Sequence, residues 1–245
     1  MAIVITGGSK GIGRAIAERF ARTGTDVIIN YAHDAAAAEE AAEAVAQRGG
    51  TPHLVQQDVG TPEGCRALIA QVRERVDHID QLVHGAVRPV SSPAVDVEAD
   101  TFLECLQLNG AALLYLVQAA RPLLRSGSTV FFLSSRGSKV AVPNYVAIGA
   151  PKALAESLVR YLAVELAPHG IRVNTVSASA LLTDAFRAVI PNADERFAAA
   201  AEANPSGRNL DVSDVANAVY WLASEEASMV TGRELFIDGG LYVKA

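Results

Sequence analysis

The chain has 245 residues, half of them hydrophobic, enough for a core buried on both faces of a parallel sheet, and its net charge of −6 argues against a nucleic-acid partner, whose phosphates demand a basic face. No apolar run approaches the ~18 residues of a membrane span, and no basic region followed by a long apolar segment opens the chain, so neither a membrane association nor a signal peptide is expected. Two cysteines without a CxxC pair suit a reducing cytoplasm, and five scattered histidines with no HxxxH or HxH spacing offer no metal site.

In chain order, short β-rich runs alternate with helical patterns from end to end. Strands are expected at residues 2–6, 26–30, 51–57, 81–84, 128–134, 172–177 and 234–237, and helices at 12–23, 35–48, 62–76, 98–124, 146–167 and 212–224. The helix at 35–48 is nearly all strong helix formers and stops at Gly49-Gly50, while Asp211 and Asp214 resemble a capping box before the last helix. This alternation predicts one domain, a doubly wound Rossmann-type α/β fold with a seven-stranded parallel sheet and helices on both faces. Residues 183–209 interrupt the regularity with an inserted helical stretch, placed where a substrate lid would fit. Phe186, Val189, Ile190 and Phe197 would form its apolar inner face, or plain core.

The first strand runs directly into Thr6-Gly-Gly-Ser-Lys-Gly-Ile-Gly13, a glycine turn opening a helix. Gly7, Gly11 and Gly13 let the backbone approach a pyrophosphate, which the helix N-terminus attracts; Ser9, Lys10 and Ile12 lie in the same loop. An NAD site usually ends its second strand on an acid, but here the chain reads Ile29-Asn-Tyr-Ala-His33, with no carboxylate before Asp34. Lys10, Arg14 and His33 are bases that would attract a 2′-phosphate, so NADPH is the expected cofactor. Asp58-Val59 stands where it could touch the adenine ring or cap a helix.

Six residues separate Tyr145 from Lys152. A tyrosine and lysine downstream of a nucleotide loop point to hydride chemistry, with the phenol as acid and the ammonium on the cofactor ribose. On an ideal helix, residues seven apart differ by about 20° in direction and ~10 Å along the axis, so the two can share a face. A four-residue offset would bring them to ~6 Å, and Ile148 occupies that nearer place. The greater reach suits a conjugated thioester, in which charge develops on an oxygen remote from the carbon that takes hydride. Pro151 either bends a helix begun at Tyr145 or sits in the first turn of one begun near Ala150. As an aromatic at a helix start, Tyr145 could also be ordinary core.

These residues together resemble the short-chain dehydrogenase/reductase family over the whole chain, through Asn109, Ser134-Ser135 and Ile237-Asp-Gly-Gly240 as well as the glycine loop and the Tyr/Lys helix. The spacing of Tyr145 and Lys152, Gly149 four residues after the tyrosine, and Asn204-Pro-Ser-Gly-Arg208 look like the type III branch of bacterial enoyl-acyl-carrier-protein reductases. The resemblance implies that Tyr145, Lys152, Ser135 and Asn109 are catalytic. His84, Gly85, Asp58, Val59 and Thr183 would join the glycine loop and Lys152 in binding the cofactor. It also implies a homotetramer built through the 98–124 and 146–167 helices. The chain departs from the common pattern at His84-Gly-Ala-Val87, in place of Asn-Asn-Ala-Gly, and at Ser177-Ala-Ser-Ala180, where a Pro-Gly pair normally follows the sixth strand. The expected activity is NADPH-dependent reduction of an enoyl thioester carried by acyl-carrier protein or coenzyme A, in fatty-acid or secondary metabolism. The alternatives are a carbonyl reductase and a non-catalytic dinucleotide-binding protein. Arg88, Arg136, Lys139, Arg187 and Arg208 would ring the mouth of the site, as receptors for a phosphate or an acidic carrier or as solvated loop charge.

Overall fold

A computed structural model of the chain describes residues 1–243. Its sheet has the order β3-β2-β1-β4-β5-β6-β7, every neighbouring pair parallel. The strands are β1 (Ala2–Thr6), β2 (Asp26–Tyr31), β3 (Thr51–Gln56), β4 (Ile79–His84), β5 (Leu124–Ser135), β6 (Arg172–Ala178) and β7 (Glu234–Ile237). The helices are α1 (Gly11–Phe20), α2 (Ala35–Gln47), α3 (Pro62–Arg73), α4 (Ala99–Leu106), α5 (Ala112–Ala120), α6 (Val146–Leu166), α7 (Asp184–Val189), α8 (Ala193–Ala203) and α9 (Val212–Ala223). β4 and β5 begin earlier than the β-rich runs suggested, because Ile79 and Leu124 pair at the foot of the sheet.

Strand side chains alternate between two cores. Val4, Ile28, Leu82 and Val130 face α3, α5 and α6, whereas Ile3, Ile5, Val27, Val83 and Phe131 face α1, α2 and α9. This double coverage is why the strands read as nearly continuous hydrophobic runs. The chain leaves β1 in one direction to β2 and β3 and in the other to β4, so the reversal opens a crevice at the strands' carboxyl ends.

The helix expected at 98–124 is divided. α4 passes into a π turn at Gln107–Ala111 and then into α5, with Asn109 in the π turn. The stretch Ala99–Leu123 has the length and composition of a membrane span, yet Leu113, Leu116, Val117 and Ala120 are buried in the core against α3 and α6. The 183–209 insertion forms α7 and α8. Val189, Ile190 and Ala193 pack with Ile148, against Tyr145 and Phe186, in a small third cluster over the crevice. Phe197 is outside that cluster.

Candidate active site

The end of β1 and the start of α1 build the first wall. Gly7 has φ +68°, and a Cβ there would lie 2.9 Å from the Ala86 backbone; a Cβ on Gly13 would lie 2.2 Å from the Gly7 carbonyl oxygen. Side chains are therefore excluded from the turn. Lys10, the N-cap of α1, makes no side-chain cap bond and the first turn holds no acid, so the positive end of the helix stays open toward the crevice. This is the cradle a dinucleotide diphosphate requires, and the loop fits NADPH on that ground.

A cavity of 330 Å³ runs from this loop to the catalytic candidates. Gly7, Ser9, Lys10, Gly11, Ile12, Gly13, Gly85, Ser135, Tyr145, Lys152 and Thr183 line it, with Ile148 and with Phe186 and Val189 of α7. A neighbouring recess of 560 Å³ shares Ser9, Lys10, Gly11, Thr183 and Asp184 and is also lined by Arg14 and Glu40.

Tyr145 is the N-cap of α6, at φ −113°, so the helix begins only at Val146 and the phenol enters the cavity from just outside its first turn. Its hydroxyl is 3.3 Å from Ser135 Oγ. Burial pushes the phenol above its ordinary value and the Ser135 hydrogen bond pulls the other way, so Tyr145 keeps its proton at neutral pH. Gly137 presses on the ring, since a Cβ there would lie 2.5 Å from two ring carbons. Lys152 Nζ donates to the Leu133 carbonyl oxygen at 2.6 Å and stands 5.5 Å from the centre of the Phe132 ring. Burial lowers this ammonium to about 8, with the Glu156 charge acting against the fall.

Pro151 lies inside α6, beyond its first turn. It cannot donate to the carbonyl of Ala147 four residues earlier. Asn109 Nδ2 takes that acceptor at 3.0 Å and also donates to the Arg88 carbonyl at 3.1 Å, while its Oδ1 accepts the Arg88 N–H at 2.7 Å. Asn109, expected among the catalytic residues, thus clamps the loop after β4 to the start of α6. Its side chain is 2% exposed and does not line the cavity.

Four cofactor candidates also lie off the cavity wall. His84 is buried: its Nε2–H donates to the Leu108 carbonyl at 3.0 Å, which leaves Nδ1 to accept the Thr6 hydroxyl at 2.8 Å. Burial pushes His84 down to about 4, so it is a neutral strut rather than a cofactor ligand. Asp58 turns its carboxylate onto the Gly60 N–H, and Val59 is in the core. His33 is exposed.

The charges differ from the sequence reading too. Lys10 lies 2.5 Å from Asp34 and 3.5 Å from Asp184, and Arg14 pairs with Glu18 and Glu40, so neither base is free in the way the residue order suggested. None of the bases expected at the mouth lines the cavity: Arg88 pairs with Glu104, Arg187 with Asp194 and Arg208 with Asp214, while Lys139 bridges Glu156 and Glu234. Arg136 instead lies over the Tyr242 ring, 4.5 Å from its centre. Sequence reasoning missed Gly137, which no pattern marks, and Glu156, whose spacing of four from Lys152 was the available signal.

Comparison with known proteins places this geometry among nucleotide-dependent reductases. Residues 7–242 match the family model described as Enoyl-(Acyl carrier protein) reductase. The chain is 34% identical over 244 residues to a 1-cyclohexenylcarbonyl-CoA reductase of Streptomyces collinus, covering 99% of this chain and 87% of that one. A short chain dehydrogenase from Burkholderia cenocepacia J2315 in complex with NADP superposes with a TM-score of 0.89 at 30% identity, over 98% of this chain and 97% of that one. The angucycline C-6 ketoreductase LanV with bound NADP gives 0.89 at 28% identity, over 99% and 96%.

Proposed function

The chain belongs to the short-chain dehydrogenase/reductase family and is an oxidoreductase of that family, and from this premise we propose that it reduces the carbon–carbon double bond of an enoyl thioester with NADPH. The observation that carries the reading is the pairing of Tyr145 with Lys152 around one cavity, with apolar Ile148 on the same wall. The position nearest the lysine thus offers no proton, and the hydroxyl reaches in from the helix N-cap. The similarity to a reductase named for a cyclohexenylcarbonyl thioester agrees with this chemistry.

Bound NADPH supplies a hydride. The glycine loop and the N-terminus of α1 would hold its diphosphate, and Lys152 its ribose hydroxyls. Reduction at the β-carbon moves the alkene electron pair toward the thioester oxygen as an enolate. Tyr145 donates a hydrogen bond to that oxygen, Ser135 orients the phenol, and the Lys152 charge favours partial loss of the phenolic proton. The Tyr145 proton passes to the enolate, whose tautomerisation leaves the α-carbon protonated, and the phenolate regains its proton from solvent once the product has left. Phe186 and Val189 cover the cavity and exclude water from the acyl group. We further propose that the acyl group arrives on acyl-carrier protein or coenzyme A, in fatty-acid or secondary metabolism. Assembly as a homotetramer would draw on the exposed Leu103, Leu154, Tyr161 and Val164 of α4 and α6.

A second reading, reduction of a ketone, is favoured by the 3.3 Å contact between the Ser135 and Tyr145 hydroxyls, two donors that could meet one carbonyl oxygen. Loss of nicotinamide absorbance with crotonyl and with acetoacetyl thioesters separates the two. Faster oxidation of NADPH by the crotonyl substrate is expected; preference for the acetoacetyl substrate would transfer the function to the ketone reading.

A further inference from the structure

One turn beyond Lys152, α6 carries a carboxylate that the reaction above leaves unused. Glu156 is 4% exposed, and both its oxygens are engaged: the Ser134 hydroxyl donates to Oε1 at 2.5 Å, and the Lys139 ammonium donates to Oε2. Lys139 also lies 2.8 Å from Glu234, which accepts the Ser177 hydroxyl at 2.6 Å. The turn after β5, helix α6 and strands β5, β6 and β7 therefore meet in one polar cluster beside Lys152. A buried carboxylate costs stability unless its surroundings compensate it. Ser134 and Lys139 compensate this one and fix where its charge points.

We propose that Glu156 is the positioning residue that keeps Lys152 an ammonium inside the cavity, with Lys139 and Ser134 holding the carboxylate in place. This rests on the reading of Lys152 as the cation on the cofactor ribose. The Lys152 ammonium donates to a neutral carbonyl, and burial works against its charge. The groups packed around it offer little else. His84 of β4 is neutral, the Tyr145 phenol is protonated, and Lys139 carries the same sign; Glu156 and Glu234 are both held by Lys139 and a serine, but Glu234 stands on β7 whereas Glu156 shares α6 with Lys152. Glu156, one helical turn away on the same helix, is the charge of opposite sign placed to act. Lys139 further ties the turn that seats the Tyr145 ring to the helix that bears Lys152, so both members of the pair depend on one ion bridge.

Competitive acetylation of the cofactor-free protein across pH, with Lys152 followed by mass spectrometry, reads its protonation without any turnover. In the parent the reactive fraction should rise with a midpoint near 8. In Glu156→Gln the midpoint should fall by about one pH unit, a tenfold change in the acid constant. Glutamine fits the site, its carbonyl accepting from Lys139 and its amide donating to Ser134. Glu156→Met, an unbranched apolar replacement, serves if glutamine does not fold and should shift the midpoint the same way. Glu156→Asp, which keeps the charge, should restore the parental midpoint. An unchanged midpoint in a folded Gln or Met variant, or an equal shift in the Asp variant, overturns the proposal. Because no substrate is present, the outcome does not depend on whether an alkene or a ketone is reduced.

Discussion

Tyr145 has three neighbours that decide what its hydroxyl can do: Ser135 beside the oxygen, Gly137 against the ring, and the cavity it shares with Lys152. Burial holds the phenol in its protonated form, which is the form a donor to a developing enolate must have. Tyr145→Phe removes that donor and keeps the ring in its seat. Turnover in this variant should fall at least about tenfold with NADPH affinity little changed, measured by steady-state kinetics and cofactor titration. Turnover at the parental rate would mean that another group supplies the proton.

At the scale of elements, the buried side chains of Asn109 and His84 tie together segments that flank the crevice. Pro151 leaves the Ala147 carbonyl without its helical donor, and Asn109 supplies one from the π turn. Asn109→Ala should cost about 2–3 kcal/mol in denaturant unfolding, through buried groups left unpaired. With Pro151→Ala in the background the loss should shrink by roughly 1 kcal/mol, because the new N–H reaches the same carbonyl; strict additivity of the two substitutions would deny the coupling. His84 links β1 and β4 to that π turn. Its folded value of about 4 lies below the unfolded 6.5, so on acidification the unfolded chain takes up the proton first. Its contribution is complete above pH 6.5 and is lost as the pH falls toward 4, about 3 kcal/mol in all by linkage. The thermal midpoint should drop across that window, and His84→Asn should flatten the drop; an equal slope in the variant would assign the acid lability elsewhere.

For the whole molecule, cofactor choice is a competition between carboxylates of this chain and a phosphate of the ligand. Asp34 and Asp184 already face Lys10, so a 2′-phosphate has to displace them to gain the same charge. NADPH should raise the melting temperature more than NADH at equal concentration, and Lys10→Ala should abolish the difference. Equal shifts in the parent would remove the 2′-phosphate from the account. Much of this architecture was legible in residue order alone. β-Branched runs separated by helical periods specify parallel strands covered on both faces, and Gly7, Gly11 and Gly13 between the first strand and first helix specify a phosphate turn, because both signals are local. The spacing of Tyr145 and Lys152 was equally local, and the fold brings both to one cavity. Tertiary structure alone decided the rest: that Asn109 answers Pro151, that His84 is an internal strut, that Asp34 folds back on Lys10, and that Lys139 and Ser134 hold Glu156. Those outcomes depend on which side chains remote in sequence share a small buried volume, where partners set both hydrogen bonding and charge, and no period or motif along the chain encodes that proximity.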